Sequence, residues 1–235
     1  MSETTGAPVR SGETKRLDNF IDAAFAFAVS LLIIAGGQPL RGFADLLDAL
    51  ARIPAFAGGF ALVVLFWLGH RNFGRVVPGR GTASTMISLM IVFAVLIWVF
   101  PARLLTETAF HFMSGGVLPG RGLITSLGDL RGVYVIYGLG FALLAGLYWL
   151  LYQEALARED SGIAPEDRGH VRDWRTSWAI TAGVGLVSAG EALLLPIQHM
   201  PWLPGVSYML IPALIGLANW LAARRARERA APPQG

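Results

Sequence analysis

The chain has 235 residues, of which 54% are hydrophobic and 15% charged, and its mean hydropathy is +0.54. A soluble domain normally carries about a quarter charged residues, so the composition points to lipid. The net charge is +3, but the arginines sit in short segments between apolar runs and form no continuous basic face, which argues against a nucleic-acid partner. The absence of cysteine excludes disulfides and thiolate metal sites.

The first 15 residues are polar and lack a signal-peptide pattern, so the first apolar run is expected to be retained. A bilayer core of roughly 30 Å takes about 20 apolar residues in a helix. Six stretches qualify: residues 17–35, 54–73, 85–105, 132–152, 176–195 and 205–223. Pro101 is expected to break the third late, and Pro212 lies inside the sixth. None alternates with the period of two that a barrel strand needs. The expected fold is an all-α membrane protein with six transmembrane helices, divided into a flexible N-terminus (1–16), a six-helix domain (17–223) and a basic tail (224–235). Between the first two spans, FADLLDAL reads as a short interfacial helix. Residues 106–131 read as a long Gly-rich outer loop, 153–175 as the main charged loop, and RERAAPPQG as too poor in apolar residues to fold. Recurring glycines at 58 and 59, 138 and 140, and 183 and 185 read as close helix packing.

Orientation follows from the basic residues on alternate sides. Fourteen of the nineteen lie on one side: Arg10, Lys15 and Arg16; Arg71, Arg75 and Arg80; Arg158, Arg168, Arg172 and Arg175; and Arg224, Arg225, Arg227 and Arg229. Arg41, Arg52, Arg103, Arg121 and Arg131 lie on the other. Both termini are therefore expected in the cytoplasm.

Ionisable groups inside spans are costly and default to functional hypotheses. Three stand out: Asp22, His70 and Glu191. Asp22 and the pair Trp67 and His70 fall at similar depth, which makes an Asp22–His70 contact geometrically reasonable, with Arg16 near enough to join. The bland alternative is a buried polar cluster holding helices in register. Glu191 lies close to the outer end of its span and reads as an outer-surface or packing group. On the first span, Phe20, Ala23, Phe27, Leu31 and Ile34 share one face at about 100° per residue, with Ser30 beside Phe27. Asp22, Phe25, Val29 and Leu32 lie opposite. One face can thus meet the rest of the subunit while the other meets lipid, a partner helix or a pore.

Arg16, Phe20 and Asp22, followed by AAFAFAVS and two leucines, resemble the first-helix signature of the transmembrane protein 175 family of potassium channels. Trp67-Leu-Gly-His70 is similar to the Trp-x-x-His of its bacterial members. The resemblance implies a homotetramer of six-helix chains around a central potassium-conducting pore lined by the first helix. The motif residues Arg16, Phe20, Asp22, Trp67 and His70 would then brace that helix. By position, Phe27 falls on the family's hydrophobic constriction and Ser30 on its hydroxyl layer, with Ala23, Leu31 and Ile34 on the same pore face. Two departures are plain: Ile21 replaces the motif serine, and Phe27 replaces a branched aliphatic residue.

The expected function is a hydrophobically gated, potassium-permeable channel of the plasma membrane. No TVGYG-like filter loop occurs, so its selectivity would be modest. Its partners would be potassium ions, lipid and copies of itself, with no metal or organic cofactor. A proton-conducting or proton-coupled protein using Asp22 and His70, and a non-conducting scaffold sealed by Phe27, are the alternatives. No GxSxG, HExxH or paired catalytic carboxylates occur in the spans, which argues against an enzyme.

Overall fold

The computed structural model of the chain describes residues 12–34, 41–120 and 124–230. Among these residues all regular structure is helical. The elements are α1 (Gly12–Ile34), α2 (Phe43–Ala51), α3 (Ile53–Val76), α4 (Thr82–Met113), α5 (Leu127–Ala157), α6 (Arg168–Leu194), α7 (Leu203–Val206) and α8 (Ile211–Ala230). Six helical segments are long and apolar enough to cross a bilayer: α1, α3, α4, α5, α6 and the stretch Leu203–Arg225, in which a 3-10 turn joins α7 to α8.

The helices overrun the apolar runs that seed them. Helix α1 begins at Gly12, and α4 continues past Pro101 to Met113. Proline at 101 removes only the N–H that would bond to the Ile97 carbonyl, and inside an apolar bundle one lost bond does not end a helix. The outer segment expected to be a loop from residue 106 is therefore helical over its first two turns. The charged 153–175 segment is likewise shortened, since α5 runs to Ala157 and α6 starts at Arg168. Helix α8 extends to Ala230, through part of the stretch expected to be too polar to fold; residues 231–235 lie outside the described residues, as do residues 1–11. The amphipathic segment does form α2, with Phe43, Leu46, Leu47 and Leu50 all exposed.

Helices α5 and α6 form the most extensive pair, α4 packs on α5, and α1 rests on α3 and α4. The α5–α6 crossing is made possible by glycine. A Cβ at Gly138 would stand 2.8 Å from the Gly185 carbonyl oxygen, and one at Gly185 would stand 2.9 Å from the Gly138 oxygen. Of the paired glycines noted in the sequence, Gly183 does not belong to this interface: nothing lies within 4 Å of a Cβ placed there.

The core is aromatic. Phe66 of α3 meets Trp98 of α4, Phe141 and Tyr148 of α5, and Trp178 of α6, with ring centroids 5.4 to 5.9 Å apart. Tyr148 and Trp178 stack at 4.4 Å. Buried phenols must find acceptors; Tyr148 donates to the Phe66 carbonyl, and Tyr152 donates to the Gly69 carbonyl at 3.1 Å. This cluster ties α3 to α5 and α6 and gives α1 a fixed surface to lean on. At one end the two connecting turns are joined, because the Gly79 N–H donates to the Ser161 carbonyl at 3.1 Å. There Arg158 donates to Asp160 at 2.9 Å, and that bond holds the Asp160 carboxyl below its usual range.

Candidate functional site

Helix α1 divides its surface sharply. Ile21, Phe25, Ala28 and Leu32, spaced three and four residues apart, are buried against α3 and α4. Such spacing places them along one stripe of a helix. On the other side Phe20, Ala23, Phe27, Ser30 and Ile34 are exposed, and Leu31 is half-buried. The contrast is steep between near neighbours: Phe25 is 3% exposed and Phe27 54%. Among the described residues no helix packs over the Phe27 face, although the segment is apolar enough to lie in a bilayer. The Ser30 hydroxyl donates to the Ala26 carbonyl one turn back at 3.3 Å, which leaves its lone pairs free to face outward.

Three polar ties hold α1 to the rest of the chain at three heights. Near its start, Asp18 accepts from the Arg80 guanidinium, which comes from the turn between α3 and α4. One helical turn further, Asp22 accepts from Trp67 Nε1 at 2.8 Å. The Trp67 ring also carries the Arg71 guanidinium, 5.4 Å from its centroid. At the far end, Arg103 of α4 donates to the Leu32 carbonyl.

The five motif residues are not all brought together. Asp22 and Trp67 are joined directly. His70, one turn beyond Trp67, faces α4 instead: it is buried, and its Nε2 shares a hydrogen bond with Ser88 Oγ at 3.2 Å. The contact expected between Asp22 and His70 is therefore absent. Residues three apart on a helix point about 60° apart, and here that angle sends Trp67 to α1 and His70 to α4. Arg16 and Phe20 are exposed, and neither side chain makes a hydrogen bond or ion pair among the described residues. Glu191 accepts from Ser207 Oγ at 2.7 Å and so packs the end of α6 against the turn before α8. It lines a cavity of about 130 Å³ with Leu195, Ile197, His199 and Met200.

The ties at Asp18–Arg80 and at Arg103 were not singled out from the sequence. Asp18 lies four residues before Asp22, on the same stripe, and that spacing was the available signal. Arg103 falls inside the third expected span, where its charge counts only towards orientation. Its partner four residues on, Glu107, was the sign that the helix continues.

Comparison with known proteins gives this geometry a setting. The family described as endosomal/lysosomal potassium channel TMEM175 matches residues 16–101, the stretch that holds most of α1, all of α2 and α3, and α4 up to Pro101. A potassium channel of Marivirga tractuosa is 26% identical over 153 residues, which are 61% of this chain and 62% of that protein. The match thus spans less than two thirds of that relative's length. In fold, the chain is similar to the crystal structure of a variant of the potassium channel MtTMEM175 in complex with a nanobody–MBP fusion protein. The TM-score is 0.76 at 19% identity, over 95% of this chain and 99% of that one. It is also similar to a lysosomal potassium-selective channel TMEM175 homolog from Chamaesiphon minutus, with a TM-score of 0.60 at 22% identity, over 88% of this chain and 98% of that one. The motif residues of α1 and α3 thus lie inside the segment that resembles the TMEM175 family, and the chain shares the six-helix fold of TMEM175 channel structures along nearly its whole length.

Proposed function

We propose that this chain is the subunit of a homotetrameric, potassium-permeable channel whose central pore is lined by α1. The observation that carries this reading is the uncovered face of α1. A row of Phe20, Phe27 and Ile34 with Ser30 among them lies exposed on the helix that is otherwise tied to its own subunit by charge. An apolar face alone would suit lipid. The relative and both solved structures are named as potassium channels, and that weights the balance towards a pore.

In such a pore four copies of Phe27 meet at one level. An apolar ring of that kind closes by sterics and by dewetting, since a cation cannot carry its water through it. Ser30, about 4.5 Å further along the axis at three residues of rise, supplies hydroxyl oxygens where a partly dehydrated ion can rest. Hydroxyl oxygens in a flexible ring replace water less completely than a carbonyl cage, so potassium is preferred over sodium only modestly. The excess of basic residues on the side of both termini supports a plasma-membrane channel with both ends in the cytoplasm.

Reconstitution tests this directly. Protein in liposomes should pass potassium ahead of sodium under imposed gradients, and its mass in detergent should correspond to four chains of 25.3 kDa plus bound detergent. A stable monomer, or a flux carried by protons alone, overturns the reading. No flux of any ion through a verified tetramer favours a sealed scaffold.

A further inference from the structure

Arg103 stands where α4 passes the end of α1. Its Nη1 donates to the Leu32 carbonyl, and the Ile33 carbonyl lies 3.4 Å from the same nitrogen. Both carbonyls lie in the last described turn of α1, and the carbonyls near a helix C-terminus are the ones that look outside the helix for donors. A cation at that point also meets the negative end of the helix dipole. Arg103 is 5% exposed and Glu107 is fully buried. The guanidinium is balanced by Glu107, whose Oε1 accepts from Arg103 Nε at 2.8 Å. Glu107 Oε2 in turn faces Arg52 at 3.9 Å, and Arg52 donates to Asp48 of α2 at 3.0 and 2.8 Å. The charges therefore form one chain from α2 through α4 to the end of α1.

A buried ion pair adds little net stability, because desolvating two charges offsets their attraction. What this pair does supply is a fixed donor at a fixed height. Arg103 lies about 30 Å along α4 from Thr82, at the opposite end from the Asp18–Arg80 tie. Helix α1 packs on α3 and α4 along one stripe, at whose far end the buried Leu32 sits against Gly59 of α3, 3.0 Å from a Cβ placed there. The Arg103 bond adds a polar anchor at the same height.

We propose that Arg103 and Glu107 are positioning residues that set the tilt of the outer end of α1, and through it the width of the pore at Ile34 and Phe27. The proposal rests on α1 lining the pore. Neither residue touches the ion; each acts through the backbone of α1.

The test combines hydrogen–deuterium exchange of the α1 amides with potassium and sodium flux in liposomes, using the full chain. Arg103→Ala should speed exchange over residues 29–34 at least five-fold while the α5–α6 amides stay unchanged, and should shift the potassium-to-sodium flux ratio at least two-fold. Arg103→Lys, which keeps a donor and the charge, should recover part of both effects and covers the case in which the alanine variant fails to fold. The swapped pair Arg103→Glu with Glu107→Arg keeps the charge balance but loses the donor to Leu32, and should behave like Arg103→Ala. Wild-type exchange and flux in the swapped variant would overturn the proposal, since charge balance alone would then suffice. Faster exchange with an unaltered flux ratio would also overturn it, provided Phe27→Ala changes flux in the same liposomes. If Phe27→Ala leaves flux unchanged as well, the pore reading of α1 fails first and the proposal falls with it.

Discussion

Trp67 and Asp22 join two spans through one hydrogen bond to a carboxylate, at 2.8 Å. Bonds to charged groups contribute roughly 1.5–3 kcal/mol, and the loss is largest when the surviving partner is left without a substitute. Asp22→Ala strands the indole N–H, and Trp67→Phe strands the carboxylate. Each should lower the unfolding temperature of the detergent-solubilised protein, and the double variant should lose little more than either single one. Equal and additive losses would mean that the two side chains stabilise independently. Glu191→Ala provides the comparison at the other end of the bundle. It removes an acceptor from Ser207 without cutting α1 from its scaffold, so it should lower the unfolding temperature less than Asp22→Ala. His70 enters differently. It pairs with Ser88 across α3 and α4, so His70→Ala should weaken that helix pair and leave the α1 tie intact, visible as unchanged exchange of the α1 amides.

Helix-scale packing can be tested at two glycines of a single element. Gly185→Ala places a Cβ 2.9 Å from a carbonyl oxygen and 3.0 Å from the Ala142 nitrogen, and backbone atoms cannot swing aside. Overpacking of this kind costs about 1–3 kcal/mol. Gly183→Ala, two residues earlier, meets nothing within 4 Å and should be neutral or slightly stabilising, because alanine favours helix over glycine. Thermal unfolding of the two variants in one detergent separates them, and equal melting points would refute the close crossing. The same elements show how far sequence reading reaches. Span number and α2 were legible because apolar run length and amphipathic period report directly on burial in lipid. The buried and exposed sides of α1 were legible because Phe25 and Phe27 are two residues apart and helical period separates them by about 200°. The end of α4 was not. Beyond Pro101 the apolar run is interrupted by Arg103, Thr106, Glu107 and Thr108, and the pairing of Arg103 with Glu107 one turn on and with the end of α1 accommodates those charges inside the helix. His70 was misplaced for a related reason: sequence gives its depth but not which neighbouring helix it faces.

At the scale of the whole molecule, one face of α1 is left exposed among the described residues, and four copies would cover it if α1 is the seam. The two phenylalanines then have opposite duties. Phe25 is buried within its own subunit, so Phe25→Ala opens a cavity among α1, α3 and α4. Phenylalanine truncation in a core costs about 3–5 kcal/mol, and tetramer yield and melting temperature should both fall. Phe27 is 54% exposed within one chain and contributes little to that core. Phe27→Ala should leave folding close to wild type, because the ring it removes stands on the exposed side of α1. Its effect belongs to the pore: removing four rings from one level widens the constriction and lets water in, so basal potassium flux should rise markedly and discrimination against sodium should fall. Wild-type flux should be low, since four aromatic rings close a narrow four-fold passage more tightly than aliphatic side chains do. Flux that rises in Phe25→Ala and stays unchanged in Phe27→Ala, measured in the same liposome preparation, would mean that the Phe25 face lines the pore and that α1 meets its own subunit through the other side.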